Sequence, residues 1–446
     1  MATSRRIGFV STRFSGTDGV SLETQKWADV LERMGNQCFY FCGECDRPPE
    51  ISHVVPEAFY RHPRIDAINQ VVFTGEWGKI HEAVEPSDAA SNLHQDFFSI
   101  FIRPRQITEE IQELRILLKE QLYIFAQRFS LEALIVENAL TIPVNIPLGL
   151  ALSEFIAETG IPVIAHHHDF HWERQRFMNN SVKDYLGAAF PPDLPSIHHV
   201  VINSIQARTL ASRIGVSAML IPNVMNFDAP APEPDGYASS VRQDLELLPD
   251  QFLILQPTRI IQRKGIENSI ELVRRLDLPA KLVISHASGD EGTDYEKRIR
   301  EYADLLDVSV DFESKIVGHS RGITKDGQKI YSLADIYPLA DLVTYPSAVE
   351  GFGNAFLEAV YYKRPLVVNN YSIFEADIKP KGFQVVEFDG FISEKTLKST
   401  REILVHPERY LDQWEHNYHL ARRYYSYAML EHHLELLLDE CFGEER

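Results

Sequence analysis

"DLVTYPSAVEGFGNAFLEAVYYKRPLVV", residues 341–368, holds a complete folding unit. "DLVTYPS" reads as a strand, "NAFLEAVYYK" has helical spacing from Asn354, and "RPLVV" opens a second strand. Two strands joined through a helix run parallel. The same alternation extends outward along the chain. "RRIGFVST" (5–12) is a strand, and "VSLETQKWADVLERMG" (20–35) places Val20, Trp27, Val30, Leu31 and Met34 near a helical period. "QCFYFCGE", "LEALIVENA", "IPVIAHHHD", "HHVVINS" and "AMLIPN" are further strands, with a long helix predicted over 107–129. After residue 240 the pattern restarts with "QFLILQPTRI", "AKLVISHA" and the quoted unit. Continuous Val/Ile/Leu runs mark parallel strands buried on both faces, so the fold class is α/β with doubly wound sheets.

The pattern breaks at "DAPAPEPDGYASS", where clustered prolines stop both helix and central strand. The sequence therefore predicts an N-terminal Rossmann-like domain over 1–227, a hinge over 228–240, and a C-terminal Rossmann-like domain over 241–422. An amphipathic helix is predicted over 423–446. Ligands of open α/β sheets bind beyond the carboxyl ends of the strands, which places chemistry in a cleft between two such domains.

Four stretches at strand ends carry candidate chemistry. The turn "AVEGFG" leads into a helix N-terminus, where free N–H groups and the dipole attract phosphate and glycines permit close approach. Glu350 on that turn can reach a bound group, and Glu358 one turn into the helix suits a hydroxyl pair. A helix start with solvated acids is the plain alternative. In "QPTRIIQRKG", Arg259 follows a strand and Lys264 comes five residues later, a fork and a point charge suited to a diphosphate. In "STRFSGTDGVSLE" (11–23), Gly16 and Gly19 flank a strand-to-helix loop that is neither G-x-G-x-x-G nor a P-loop. "VIAHHHDFHWER" sets His166, His167, His168 and Asp169 at a strand end. Three consecutive residues on a strand alternate faces and cannot all ligate one zinc ion, which leaves a sugar-binding, oxyanion-stabilising or structural role.

Composition narrows the classes. Lys and Arg number 44 against 64 Asp and Glu, a net charge of −20. That opposes nucleic acid as the main ligand, and the acidic first half is a poor match to an anionic membrane surface. No apolar run long enough for a transmembrane helix is present, and the N-terminus lacks the pattern of a signal peptide, so a cytoplasmic protein is expected. Of the cysteines at 38, 42, 45 and 441, Cys42 and Cys45 form a C-x-x-C. Zinc needs a second pair and the redox reading needs a thioredoxin-like context, so they read as reduced and incidental.

Taken together, "TRIIQRKG" and "YPSAVEGFGNAFLEAVYYKRPLVV" resemble the retaining, nucleotide-sugar-dependent glycosyltransferases of family 4, with the GT-B fold and an E-x7-E signature. "VINSIQARTLASRIGVSAMLIPNVMNF" is similar to the end of that family's first domain, but reads "NVMN" where many members have Asn-Gly-Val-Asp. The resemblance implies that Arg259 and Lys264 hold the donor diphosphate. Glu350 would bind hydroxyls of the transferred sugar, with Gly351, Phe352, Gly353 and Asn354 around the donor, and Glu358 would hold the nucleotide ribose. Gly19 would approach the diphosphate from the first domain. His168 would contact the sugar at the reaction centre, and Gly16, Asp18, His167 and Asp169 would lie on the acceptor side. The resemblance further implies a hexose transferred from UDP-glucose, ADP-glucose or GDP-mannose to a sugar, sugar phosphate or glycerate-type acceptor, with no cofactor and no essential divalent metal. It is nearest to enzymes that make small soluble glycosides. A nucleotide-sugar 2-epimerase and a non-catalytic nucleotide-sugar sensor remain as rivals. A Rossmann dehydrogenase lacks its fingerprint.

Overall fold

The computed structural model describes residues 4–16, 18–74, 102–286, 294–312, 316–318 and 320–443. Two compact units divide the chain, residues 1–221 with 430–446 and residues 222–429.

The first unit is built on a seven-stranded sheet. Its strands are β1 (Arg6–Val10), β2 (Gln37–Cys42), β3 (Ser52–Val54), β4 (Ala133–Glu137), β5 (Val163–His167), β6 (Ile197–Val201) and β7 (Met219–Leu220). Their spatial order is β3-β2-β1-β4-β5-β6-β7, and every pairing is parallel. The direction of winding reverses between β1 and β4, the switch point at which doubly wound sheets bind ligands. All five residues of β4 and of β5 are buried, as the uninterrupted apolar runs predict. Helices α1 (Gly19–Arg33), α2 (Arg105–Phe129) and α3 (Ile146–Thr159) flank the sheet. Leu118, Leu122 and Phe125 of α2 and Leu148, Leu152 and Phe155 of α3 join Val10, Phe41 and Val136 in one core.

The second unit repeats the plan. Strands β8 (Phe252–Arg259), β9 (Ala280–His286), β10 (Val310–Phe312), β11 (Leu342–Tyr345), β12 (Leu366–Asn369) and β13 (Val386–Phe388) form a parallel sheet ordered β10-β9-β8-β11-β12-β13. Its switch point lies between β8 and β11, and the quoted unit supplies β11, the helix that follows it and β12. Helix α4 (Ile266–Leu276) turns Ile266, Ile270, Val273 and Leu276 onto the sheet, and α5 covers Asn354–Tyr361.

Three details refine the sequence reading. The passage between units falls at Ile221–Pro222, upstream of the proline-rich stretch. That stretch is fastened within the second unit: the Tyr361 hydroxyl donates to the Pro230 carbonyl (3.1 Å), and the Tyr237 hydroxyl to the Gly322 carbonyl (2.7 Å). The terminal helix is two helices, α6 (Leu411–Tyr425) and α7 (Tyr427–Phe442), parted at Ser426. From Leu430 onward the chain belongs to the first unit, where Arg5 lies over the Phe442 ring at 4.2 Å. Among the described residues no helix is long and apolar enough to cross a membrane.

Candidate active site

In the second unit the switch point collects cations. Arg259 ends β8 exposed, and among the described residues its guanidinium has no hydrogen bond or ion pair. The chain then makes a 3-10 turn, Gln262–Lys264, closed by Gly265 at φ +60°. A Cβ on Gly265 would stand 2.5 Å from the Pro346 carbonyl oxygen, so only glycine lets the turn lie against the β11–α5 loop. The Ala348 N–H donates to the Arg263 carbonyl at 2.9 Å. The result is an ion cluster that the sequence does not display. Lys264 Nζ pairs with Glu350 Oε1, and Arg263 Nη1 reaches Glu350 Oε2 at 3.3 Å and the Val349 carbonyl at 3.2 Å. Burial lowers the Lys264 pKa, with Glu350 opposing. Burial would raise the Glu350 carboxyl, but Lys264 and Arg263 overcome it and hold it below the usual carboxylate range. Two cations thus hold one carboxylate and Arg259 adds a third positive charge felt by Lys264, an excess suited to a polyanion. Glu350 is tied to the lysine rather than free on the turn, and Arg263 is a residue that sequence reasoning missed.

The turn itself is fixed from beneath. Phe352 is buried with its ring 5.2 Å from Tyr425, and its carbonyl accepts the Tyr371 hydroxyl at 2.8 Å. Gly353 has φ +130°, and a Cβ there would fall 2.5 Å from that hydroxyl. Gly353→Ala is therefore expected to lower unfolding free energy by about 1–3 kcal/mol, read from urea melts. Adding Tyr371→Phe removes the clash but not the backbone strain, so the double variant recovers only part. A Gly353→Ala chain as stable as the parent would refute the strain. Gly351 precedes Phe352 on this turn. Asn354 opens α5 and accepts the Asn223 amide at 2.7 Å. Glu358 accepts the Tyr337 hydroxyl at 2.7 Å, and Tyr337 stacks on Tyr362 with centroids 5.0 Å apart. Burial and the Glu358 charge push the Tyr337 hydroxyl far up, so it stays a donor and orients the carboxylate.

In the first unit the loop after β1 and the end of β5 behave differently from each other. Asp18 is the N-cap of α1: it accepts from the Val20 and Ser21 N–H groups at 3.2 Å, the Ser21 hydroxyl at 2.6 Å and Arg13 at 3.0 Å. Its oxygens are occupied, which removes it from ready contact with an acceptor. Gly16, at φ +71°, donates its N–H to Asp46 at 3.0 Å, and Gly19 begins the helix.

The three histidines divide by face, as strand geometry requires. His166 and His168 turn to one side and meet Glu137, which register sets opposite His166 at the end of β4. Glu137 Oε2 lies 3.0 Å from His166 Nδ1 and 2.8 Å from His168 Nε2, and all three residues are buried. His167 points the other way, to His199 at 2.9 Å inside the core, a structural place rather than an acceptor contact. Asp169 is half-buried and paired with Arg174. Burial alone would raise the Glu137 carboxyl, yet the two imidazoles hold it well below the carboxylate range. Burial lowers His166, whereas the hydrogen bond to Glu137 outweighs burial at His168 and raises it. Glu137 is thus held ionised, with His166 biased toward the neutral imidazole and His168 toward the protonated one. These three side chains also place nitrogen and oxygen ligand atoms within 4.8 Å of one another, the donor set a divalent ion takes. Their hydrogen bonds already account for the two nitrogens that face the carboxylate. Glu137 was missed from sequence, although an acid closing the apolar run "ALIVE" signalled it.

Two doubly wound parallel sheets and a cationic switch point mark a candidate ligand site, and comparison with known proteins identifies the class. The family signature "Glycosyl transferases group 1" matches residues 239–428. Mannosylglucosylglycerate synthase of Thermotoga maritima is 30% identical over 457 residues, 96% of this chain and 98% of that protein. The enzyme of the same name from Petrotoga mobilis is 31% identical over 403 residues, 85% of this chain and 86% of that protein. The chain belongs to the group 1 glycosyltransferases. Among solved structures, a glycosyltransferase from Rickettsia africae ESF-5 aligns with TM-score 0.64 at 12% identity over 99% of this chain and 100% of that one. Sucrose-phosphate synthase from Thermosynechococcus elongatus aligns with TM-score 0.63 at 14% identity over 98% of this chain and 99% of that one. The fold is GT-B.

Proposed function

We propose that this chain is a retaining hexosyltransferase that moves a hexose from a nucleoside-diphosphate sugar to a small, glycerate-type acceptor. One observation carries the reading: Lys264 and Arg263 pair with a single carboxylate, Glu350, beside the N-terminus of α5, and Arg259 adds a further positive charge that acts on Lys264. The principal demand of glycosyl transfer is neutralising charge on the departing diphosphate, and fixed cations with a helix dipole meet it. Arg259 takes the diphosphate directly. Lys264 shares its charge between the diphosphate and Glu350, which leaves Glu350 oriented to accept hydrogen bonds from the sugar. Glu358, steadied by Tyr337, holds the ribose diol. His168, held by Glu137, contacts the sugar from the first unit, and Gly16 and Gly19 line the acceptor side. The domain limits follow the two units, and the donor machinery belongs to the second. The similarity to mannosylglucosylglycerate synthases supports the glycerate-type acceptor, and UDP-glucose, ADP-glucose and GDP-mannose are the donors to try.

Retention is the reading because, among the described residues, the two carboxylates beside the histidines at the end of β5 are engaged: Glu137 is buried between His166 and His168, and Asp169 is paired with Arg174. The acceptor hydroxyl then loses its proton to the leaving diphosphate on the same face of the sugar, and the protein contributes positioning. Proton NMR of the first-formed glycoside tests this. An α-linked donor giving an α-linked product is expected. A β-linked product would overturn retention, and an epimerised nucleotide sugar formed without acceptor would overturn transfer itself.

A further inference from the structure

A glycerate-type acceptor carries a carboxylate, and the loop after β1, at the switch point of the first unit, holds a side chain suited to it. Arg13 and Phe14 form a short parallel ladder in which Arg13 stands opposite Glu44 and Phe14 opposite Cys45. Successive residues of a strand point to opposite sides. Phe14 turns inward: it is fully buried and meets Phe9 and Tyr40 edge-on, with centroids 6.5 Å and 5.5 Å away. Arg13 turns outward, with 28% of its side chain exposed. Its fork is held at both tips. Nη2 donates to Asp18 Oδ2 at 3.0 Å, and Nη1 to the hydroxyl of Tyr60, in the segment after β3, at 3.4 Å. Two of the five N–H groups of a guanidinium are thereby used, and the others have no hydrogen-bond partner among the described residues.

Asp18 does not use up the charge of Arg13. Its carboxylate also accepts the Val20 and Ser21 N–H groups at 3.2 Å and the Ser21 hydroxyl at 2.6 Å, so Arg13 is one donor among several. Other cations at this end of the sheet are committed elsewhere. Arg174 pairs with Asp169, His168 with Glu137, and Arg47 with Asp46 at 3.2 Å while its own Nε is buried. Arg61 is exposed and joins Arg13 over the Tyr60 ring, their guanidinium carbons 5.6 Å and 5.7 Å from its centre. Space lies beside the loop, since a Cβ on Gly16 or Gly19 would meet nothing within 4 Å among the described residues. We propose that Arg13 is the specificity-determining residue for the acceptor: its remaining N–H groups take the acceptor carboxylate, and Arg61 adds attraction at longer range. A planar fork matches the two oxygens of a carboxylate, whereas a neutral hydroxymethyl group in the same place cannot accept both bonds. This assignment rests on the glycerate-type acceptor proposed above.

The full-length enzyme is assayed with paired acceptors that differ only at that group: D-glycerate against glycerol, and the glucoside of each. Wild type is expected to favour the acid of a pair in kcat/KM. Arg13→Gln should lower kcat/KM for the acid roughly 10²-fold, mainly through KM, and for the neutral partner by no more than about twofold, so the preference collapses. Arg13→Lys keeps the charge without the fork and should fall between the two. Calorimetry with whichever of UDP, ADP and GDP the parent binds should give parental affinity in both variants, which also shows that they are folded. A wild type that transfers to no acid acceptor overturns the glycerate reading and the ligand assigned to Arg13 with it. A wild type that favours the acid, beside an Arg13→Gln variant that favours it equally, overturns the assignment of Arg13 alone. Equal losses on acid and neutral acceptors would mean that Arg13 only supports the loop, and overturn it as well.

Discussion

Arg259→Ala is expected to lower kcat/KM by roughly 10²–10³ while leaving the unfolding midpoint unchanged. The guanidinium is exposed and makes no ion pair among the described residues, so its removal disturbs no internal contact. Its cost falls on donor binding and the transition state rather than on folding. Lys264→Ala gives the contrasting result. It removes the closest partner of a buried carboxylate, and Arg263, at 3.3 Å and largely exposed, is left to compensate. Removing one partner of a buried pair costs about 3–5 kcal/mol, so this variant loses stability along with activity. Urea denaturation beside steady-state kinetics separates the two. If Arg259→Ala keeps near-parental kcat/KM, the diphosphate assignment fails. If Lys264→Ala unfolds at the parental midpoint, Glu350 does not depend on that lysine.

The second large effect belongs to Glu137→Gln. Glutamine keeps the size of the side chain but not the charge that two imidazoles enclose, and a loss of about 3 kcal/mol is expected near pH 5.5. The sign of its pH dependence follows from the two shifts. Glu137 has a folded pKa below its unfolded value, so its contribution is present above about 4.5 and is lost as pH falls toward the folded value. His168 has a folded pKa above its unfolded value, so its contribution is complete below about 6.5 and is lost as pH rises through the folded value. Both act together between about 4.5 and 6.5, and the deficit of the variant should be widest there and narrow toward alkaline pH. His166, kept neutral by burial, costs stability only as pH falls below about 6.5. A deficit that is flat from pH 5 to 9 would show that Glu137 acts through packing and not through charge.

The alternation of strands and helices was legible because burial on both faces writes itself as continuous apolar runs, and β4 and β5 are buried throughout. Strand-end positions of Arg259 and His166–His168 followed from the same reading. Partners across the sheet were not legible. Glu137 and His166 meet because β4 and β5 are neighbours in register, a fact of topology that spacing along the chain does not carry. The objection to three adjacent histidines sharing an ion holds for His167, but says nothing of His166 and His168 joined by an acid from the next strand. Asp18 looks like a ligand residue in "GTDGVSLE", yet capping of α1 absorbs its oxygens. Lys264 and Glu350, read as separate contacts, neutralise each other because Gly265 folds one loop onto the other.

Trp27 gives this cluster an optical readout. Its indole is fully buried and lies face to face with the His166 ring, centroids 4.1 Å apart and planes 24° from parallel. A protonated imidazole quenches indole emission on contact, whereas a neutral one does so weakly. The chain has four tryptophans, and Trp172, whose ring stacks on Phe170, also meets the His171 ring edge-on at 4.9 Å, so a Trp172→Phe background removes that second imidazole contact. The fluorescence of Trp27 therefore follows the charge on His166 without any label. A change at the end of β5 can be watched in real time, by stopped flow, in that background.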